Sequence, residues 1–175
     1  MTLLNQDRES LQYGPYSIPR PYPLVKVEGP NHYYARILLE NIAGKISETS
    51  AINQFNYHRM SLENRELGEL LRGIGLVEMH HLELLGRTVT ALGGDPRWHG
   101  YDGRYWGGDL VYYGTDVVDR LTADIALEKQ AIEQYRSHLD LIADPHVRKL
   151  LERIVKDEQY HVILLQSMLK KYIGK

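Results

Sequence analysis

The 175-residue chain carries 21 Lys and Arg against 23 Asp and Glu, a formal net charge of −2, and no cysteine. Without cysteine there is no disulfide, zinc ribbon, iron–sulfur cluster, thiol nucleophile or rubredoxin-type electron-transfer centre, and without a basic tail or stripe there is no nucleic-acid surface. No apolar run approaches the ~20 residues of a membrane helix and the N-terminus lacks a charged-then-apolar leader, so a soluble, cytoplasmic protein that does not engage a membrane is expected.

Residues 1–30 read as an irregular Pro/Tyr-rich arm. Gly14-Pro15, Pro19, Pro21, Pro23 and Gly29-Pro30 forbid a long helix there. The arm is expected to lie against the body or against a neighbouring subunit. Residues 31–175 read as one all-α domain. Apolar positions at spacings of 3, 4 and 7 predict helices over about 31–62, 64–92, 115–142 and 145–173. Gly44 weakens the middle of the first by ~1 kcal/mol relative to Ala. Gly93-Gly94-Asp95-Pro96 ends the second, Thr115 or Asp116 caps the third, and Asp144-Pro145 marks the last turn.

Short turns make two antiparallel hairpins. The connector, residues 93–115, is rich in Gly and aromatic residues and can span up to ~75 Å when extended. It can run the length of a bundle and set the third helix parallel to the second. The predicted fold is a four-helix bundle with one long crossover. The aromatic connector is expected to pack a homodimer or higher homo-oligomer interface.

The chemistry lies in a repeated spacing. Glu48 stands on the first helix, and Glu78-Met79-His80-His81 on the second. Glu128 stands on the third, and Glu158-Gln159-Tyr160-His161 on the fourth. Each lone Glu precedes its Glu-x-x-His by 30 residues. Counted from the turns, all four groups sit at mid-bundle, and positions i and i+3 share a helix face. Ile52, Phe55, Ile74, Leu85, Leu121, Ile125, Ile154 and Leu165 flank them at core spacings, so the carboxylates point inward. Four buried carboxylates need counter-charge, and two divalent cations supply it. An oxygen-rich set with one imidazole per metal suits iron or manganese. In this reading Glu78 and Glu158 bridge the metals, Glu48 and Glu128 are terminal ligands, and His81 and His161 bind one metal each. The same six residues are the candidate catalytic set. Tyr135, seven residues after Glu128, falls on the same face and can hydrogen-bond a ligand. Glu83 and Glu133 read as solvated positions. His32, His58, His99, His138 and His146 show no partner pattern.

These residues resemble the ferritin-like superfamily over roughly residues 31–173. Glu48 through Gln54, Glu78 through His81, Asp124 through Glu128 and Asp157 through His161 resemble bacterioferritins. Gly44 through Thr49, Glu78 with His81 and Glu83, and the Asp144-Pro145 turn look like manganese catalases. The resemblance implies a ferritin-like bundle with two Fe or two Mn per chain, reacting with O2 or H2O2. It places Asp157 and Asp124 behind the ligands as supporting residues. Bacterioferritins have an Asp just before the second-helix ligand Glu, where this chain has Val77, so one imidazole is expected to be oriented differently. Met79 falls where bacterioferritins have a haem-ligating Met. That ligation needs a two-fold partner, and haem is not expected. With no fifth helix after the fourth, a 24-subunit shell is not expected either. The expected function is ferroxidase- or peroxidase-type detoxification of iron or peroxide, with Fe2+ as a substrate or an external partner as electron donor. Manganese catalase, iron storage and a purely structural metal staple are the alternatives.

Overall fold

The computed structural model describes residues 14–173. The first thirteen residues of the arm expected over 1–30 lie outside them. Five α-helices follow: α1 (His32–Ala43), α2 (Glu48–Met60), α3 (Arg65–Ala91), α4 (Val117–Leu141) and α5 (Pro145–Ile173). α1 and α2 together form one column of a four-helix bundle. α2 pairs with α3 and α4 with α5, giving the two expected hairpins.

The first column corrects the continuous helix read over 31–62. It is interrupted at Gly44–Ser47. A Cβ at Gly44 would stand 2.6 Å from the Glu40 carbonyl oxygen, so glycine alone suits this end of α1. Ser47 then caps α2 by accepting from the Ser50 amide. The Thr49 hydroxyl donates to the Ile42 carbonyl at 2.7 Å, and Ser50 donates to that of Gly44. Side chains thus satisfy the carbonyls that the break frees. The break has a consequence for the chemistry: Glu48 becomes the first residue of α2, at its positive end.

The other ends follow the sequence reading. Asn64 caps α3, and Gly93, at φ +83°, closes its C-terminal end. Asp116 caps α4 by accepting from the amides of Val118 and Asp119. Asp144 accepts from His146 and Val147 to start α5, with Pro145 at its first position. The crossover runs along the outside of the first column. Arg36 reaches the Tyr101 carbonyl, Trp106 donates to Ser50, the Tyr112 amide donates to Gln54, and Arg120 reaches the carbonyl of Ser61. It therefore delivers α4 to the end where α3 begins, and the two helices run parallel. Trp98, Tyr101, Tyr105, Tyr112 and Tyr113 remain exposed along it.

The arm lies on the body. The Glu28 amide donates to Asp144, and the Tyr16 ring packs on the α3 backbone at Gly73, where a Cβ would come within 2.2 Å of it. Gly73→Ala is therefore expected to dislodge the ring and lower stability by about 1–3 kcal/mol. Gly75→Ala, where no atom lies within 4 Å of the added Cβ, is expected to gain up to ~1 kcal/mol. Urea unfolding of the two variants checks the contrast. Equal effects would remove the packing role of Tyr16.

Candidate metal centre

Four helices deliver six buried side chains to one level. Glu48 comes from α2, Glu78 and His81 from α3, Glu128 from α4, and Glu158 and His161 from α5; none is more than 4% exposed. They fall into two overlapping groups. Glu48, Glu78, His81 and Glu158 form one, and Glu78, Glu128, Glu158 and His161 the other. Within each, one donor atom per residue lies within 4.8 Å of the others. Glu78 and Glu158 belong to both.

The arrangement is nearly two-fold. His81 Nδ1 faces Glu78 Oε2 at 3.0 Å, Glu158 Oε1 at 3.1 Å and Glu48 Oε2 at 3.7 Å. His161 Nδ1 faces Glu78 Oε1 at 2.8 Å, Glu158 Oε2 at 3.1 Å and Glu128 Oε1 at 3.7 Å. Each shared carboxylate turns one oxygen to each imidazole.

A pair of cations fits these residues. On the outer side of His161, Nε2 lies 2.9 Å from the Tyr16 carbonyl, which can only accept, so the proton sits on Nε2. Neutral His161 then directs the Nδ1 lone pair at three carboxylate oxygens, an arrangement that a cation relieves. Even a proton on Nδ1 could serve only one or two of the three. Glu78 Oε1, Glu128 Oε1 and Glu158 Oε1 are buried with no hydrogen-bond partner among the described residues. Unpaired buried polar atoms are costly; two of these, on Glu78 and Glu128, face His161, and the third, on Glu158, faces His81.

The electrostatics make the same demand. Burial raises the pKa of Glu48, and the charges of Glu78 and Glu158 raise it further. Burial and then Glu158 and Glu78 do the same to Glu128. Burial also opposes ionisation of Glu78 and Glu158, but the neighbouring histidines outweigh it, and both are lowered. Burial opposes protonation of His81 and His161, yet the surrounding anionic groups raise both. The cluster draws positive charge to its centre. Oxygen donors with one imidazole per group are the chemistry of iron and manganese sites.

Behind the six lies a shell that the sequence revealed only in part. Asp157 carries most of it. Its Oδ2 lies 3.2 Å from His81 Nε2 and 2.5 Å from both the Tyr22 hydroxyl and Arg153 Nη1. Its Oδ1 accepts from the Ser17 hydroxyl at 3.0 Å and the Ile18 amide at 2.8 Å. Burial works to raise the Asp157 carboxyl, but His81, Arg153 and Tyr22 hold it at about 2. Burial, with Asp157 alongside, pushes the Tyr22 phenol up to about 12, so it keeps its proton. Arg153 lies over the Tyr22 ring at 4.0 Å and donates to the carbonyls of Ile18 and Arg20.

Val77 accounts for the unequal histidines. Asp157, next to Glu158 on α5, serves His81 on α3. The matching position beside Glu78 would serve His161, and it is Val77. The Tyr16 carbonyl from the arm takes that role instead. Tyr135 donates its hydroxyl to Glu48, as its spacing suggested. Asp124 is elsewhere: its partners are Gln54 and His58 of α2, at 2.8 and 2.9 Å. His58 Nε2 meets the Tyr112 carbonyl. This group secures the crossover to the bundle rather than a metal ligand. Met79 is 52% exposed and turned away from the cluster. Glu83 and Glu133 are exposed and pair with Arg87 and Arg136. Tyr16, Ser17 and Tyr22 carried no signal in the sequence. Arg153, four residues before Asp157 on one helix face, could have been found by spacing.

A small cavity adjoins the cluster beside the α1–α2 break. Ile46, Ser47, Ala51, Leu127, Ala131, Tyr135 and Asn41 line it with the four glutamates. The space open to the centre of a water-sized sphere is about 10 Å³. That is room for one water-sized molecule.

The model of the family described as manganese containing catalase matches residues 22–102. The probable manganese catalase of Clostridium acetobutylicum is 26% identical over 84% of this chain and 75% of its own. The structure of KatB, a manganese catalase from Anabaena PCC7120, superposes with a TM-score of 0.83 at 25% identity, covering 89% of this chain and 79% of that one. Mycobacterium tuberculosis bacterioferritin, BfrA, gives 0.71 at 25% identity, covering 83% and 89%. The matched segment begins at Tyr22 and so includes part of the arm. The two solved folds differ in name and share with this chain the bundle that holds its buried carboxylates and imidazoles. The chain is a member of the ferritin-like superfamily.

Proposed function

We propose that the protein is a manganese-catalase-type enzyme that converts two molecules of hydrogen peroxide into one dioxygen and two waters. The observation that carries this reading is the water-sized cavity bounded by all four glutamates of the cluster. It admits only a very small substrate. Peroxide both gives and takes the electrons, so no second substrate has to enter. The likeness to manganese catalases supports the same reading and ranks it above the ferroxidase or peroxidase activity expected from the sequence.

Glu78 and Glu158 would bridge two manganese ions. Glu48 and His81 would complete one ion's ligands, and Glu128 and His161 the other's. When bound, the metal pair supplies the two-electron redox chemistry of the reaction. The chain's residues do the rest. Asp157 and the Tyr16 carbonyl orient the two imidazoles from behind. Tyr135 holds Glu48. Ile46, Ala51, Leu127 and Ala131 narrow the space beside the glutamates and keep larger reductants away.

A second reading is favoured by the likeness to bacterioferritin. In it two iron ions couple O2 or peroxide to the oxidation of Fe2+. It requires an entry path for Fe2+ or an external electron donor, since no cysteine is present to hold an electron-transfer centre.

Elemental mass spectrometry on protein purified without added metal, paired with an oxygen electrode, separates the readings. The expected result is about two manganese per chain and oxygen evolution from peroxide. Two iron per chain, with Fe2+ oxidation and no oxygen evolution, would establish the second reading. Much more than two iron would point to storage.

A further inference from the structure

Asn41 is an inward position near the end of α1 and is 1% exposed. Its side-chain oxygen lies 2.6 Å from His138 Nδ1 on α4. Burial holds the His138 pKa down at about 4, so its ring is neutral near pH 7 and carries one proton. An amide oxygen only accepts, so that proton is on Nδ1 and His138 donates. With Oδ1 on His138, the NH2 is the end of the amide left over. Its NH2 group turns from His138 and has no hydrogen-bond partner among the described residues. Asn41 borders the cavity that Glu48, Glu78, Glu128 and Glu158 also line. The reversed amide would add an oxygen to a wall already rich in carboxylate oxygens. The observed orientation instead offers this wall a donor.

Buried donors are normally paired, and a molecule entering the cavity would supply an acceptor. We propose that Asn41 is a substrate-binding residue whose Nδ2 donates a hydrogen bond to an oxygen of hydrogen peroxide, and that His138 is the positioning residue that aims the amide. This deepens the function proposed above and rests on it. Glutamate ligands and an imidazole can hold a metal ion, but they offer an incoming peroxide no neutral donor. Asn41 supplies one from outside the ligand set, and the α1–α2 break leaves room beside it. The amide fixes where the small molecule sits and which of its oxygens is held.

The test uses Asn41→Leu and His138→Phe, each loaded with manganese and compared with the loaded wild type. Azide, a small unreactive anion with acceptor nitrogens, is titrated calorimetrically, and the KM for peroxide is measured with the oxygen electrode. Asn41→Leu is expected to keep two metals per chain, to bind azide about tenfold more weakly and to raise KM by a similar factor, the scale of one lost hydrogen bond to a charged or polarised partner. His138→Phe is expected to weaken azide by about two- to fivefold, because the amide stays but is no longer aimed. Where Asn41→Leu does not fold, Asn41→Ala carries the same measurements. Unchanged azide affinity and KM at full metal content would overturn the assignment. Loss of metal from the Asn41 variant would also overturn it, by placing the residue in the support of the ligands. A loaded wild type that evolves no oxygen would overturn the catalase reading alone, and the azide comparison would still decide Asn41.

Discussion

Replacing Glu158 or Glu78 by alanine is expected to abolish two-metal binding altogether, whereas Glu48→Ala or Glu128→Ala should weaken mainly one of the two sites. The reason is their shared position. Each of Glu78 and Glu158 turns one oxygen toward His81 and the other toward His161, so each belongs to both groups of donors. Glu48 and Glu128 belong to one group each. Metal content per chain, after reconstitution and gel filtration, reads the difference directly.

Thermal unfolding gives a second view of the same substitution. In metal-free protein, Glu158→Ala removes one of four crowded, buried carboxylates. The metal-free melting temperature is expected to fall only modestly, because losing the pairing of Glu158 with His81 and His161 is offset by relieving its repulsion of Glu48, Glu78 and Glu128. The rise in melting temperature on adding metal, large for the wild type, should vanish. Two metals retained in Glu158→Ala or Glu78→Ala would sink the bridging assignment.

Asp157→Ala carries the second large effect, through the arm. The carboxylate holds Ser17, Ile18, Tyr22, His81 and Arg153 together. Its removal leaves the Arg153 guanidinium, only 6% exposed, without its counter-ion. Breaking a buried pair from one side costs about 3–5 kcal/mol. The loss of orientation at His81 should weaken metal binding by about 10–100-fold. Three measurements check this: urea unfolding of metal-free protein, metal titration, and protease cleavage near residues 17–22. Unchanged metal affinity would remove the supporting role.

The pH dependence has a definite sign. With the Asp157 carboxyl held at about 2, its contribution is complete above the ordinary carboxylate pKa near ~4. It is lost as pH falls from there through about 2. The Asp157→Ala penalty should therefore be full at pH 7 and shrink only in that acid window.

Much of the candidate centre was legible in the sequence because an α-helix turns spacing into direction and height. Glu-x-x-His puts two donors on one face, and equal intervals of 30 residues put four groups on one level. Glu48, Glu78, His81, Glu128, Glu158 and His161 could therefore be placed together before any coordinates, and Tyr135 with them. The bundle followed from the same periodicity, and the reach of the crossover followed from its length.

Only the tertiary structure decided what stands behind and beside those six residues. Residues 14–30 have no period, because proline and glycine interrupt every local pattern, so nothing in that stretch shows which way Tyr16 or Tyr22 faces. Their contacts with His161, His81 and Asp157 join positions 59 to 145 residues apart, and such pairings depend on how whole elements pack. The break at Gly44 is of the same kind. Helix propensity alone registers a weak point, but side chains that catch the freed carbonyls turn it into the start of a new helix at Glu48. The resemblance to bacterioferritins places Asp124 behind the ligands, on the same helix as Glu128. It lies four residues away, and packing brought it to His58 instead. Asn41 and His138 each follow the helical pattern separately. Only the approach of α1 to α4 pairs them, and only that pairing turns an unpartnered amide toward the wall that the glutamates share.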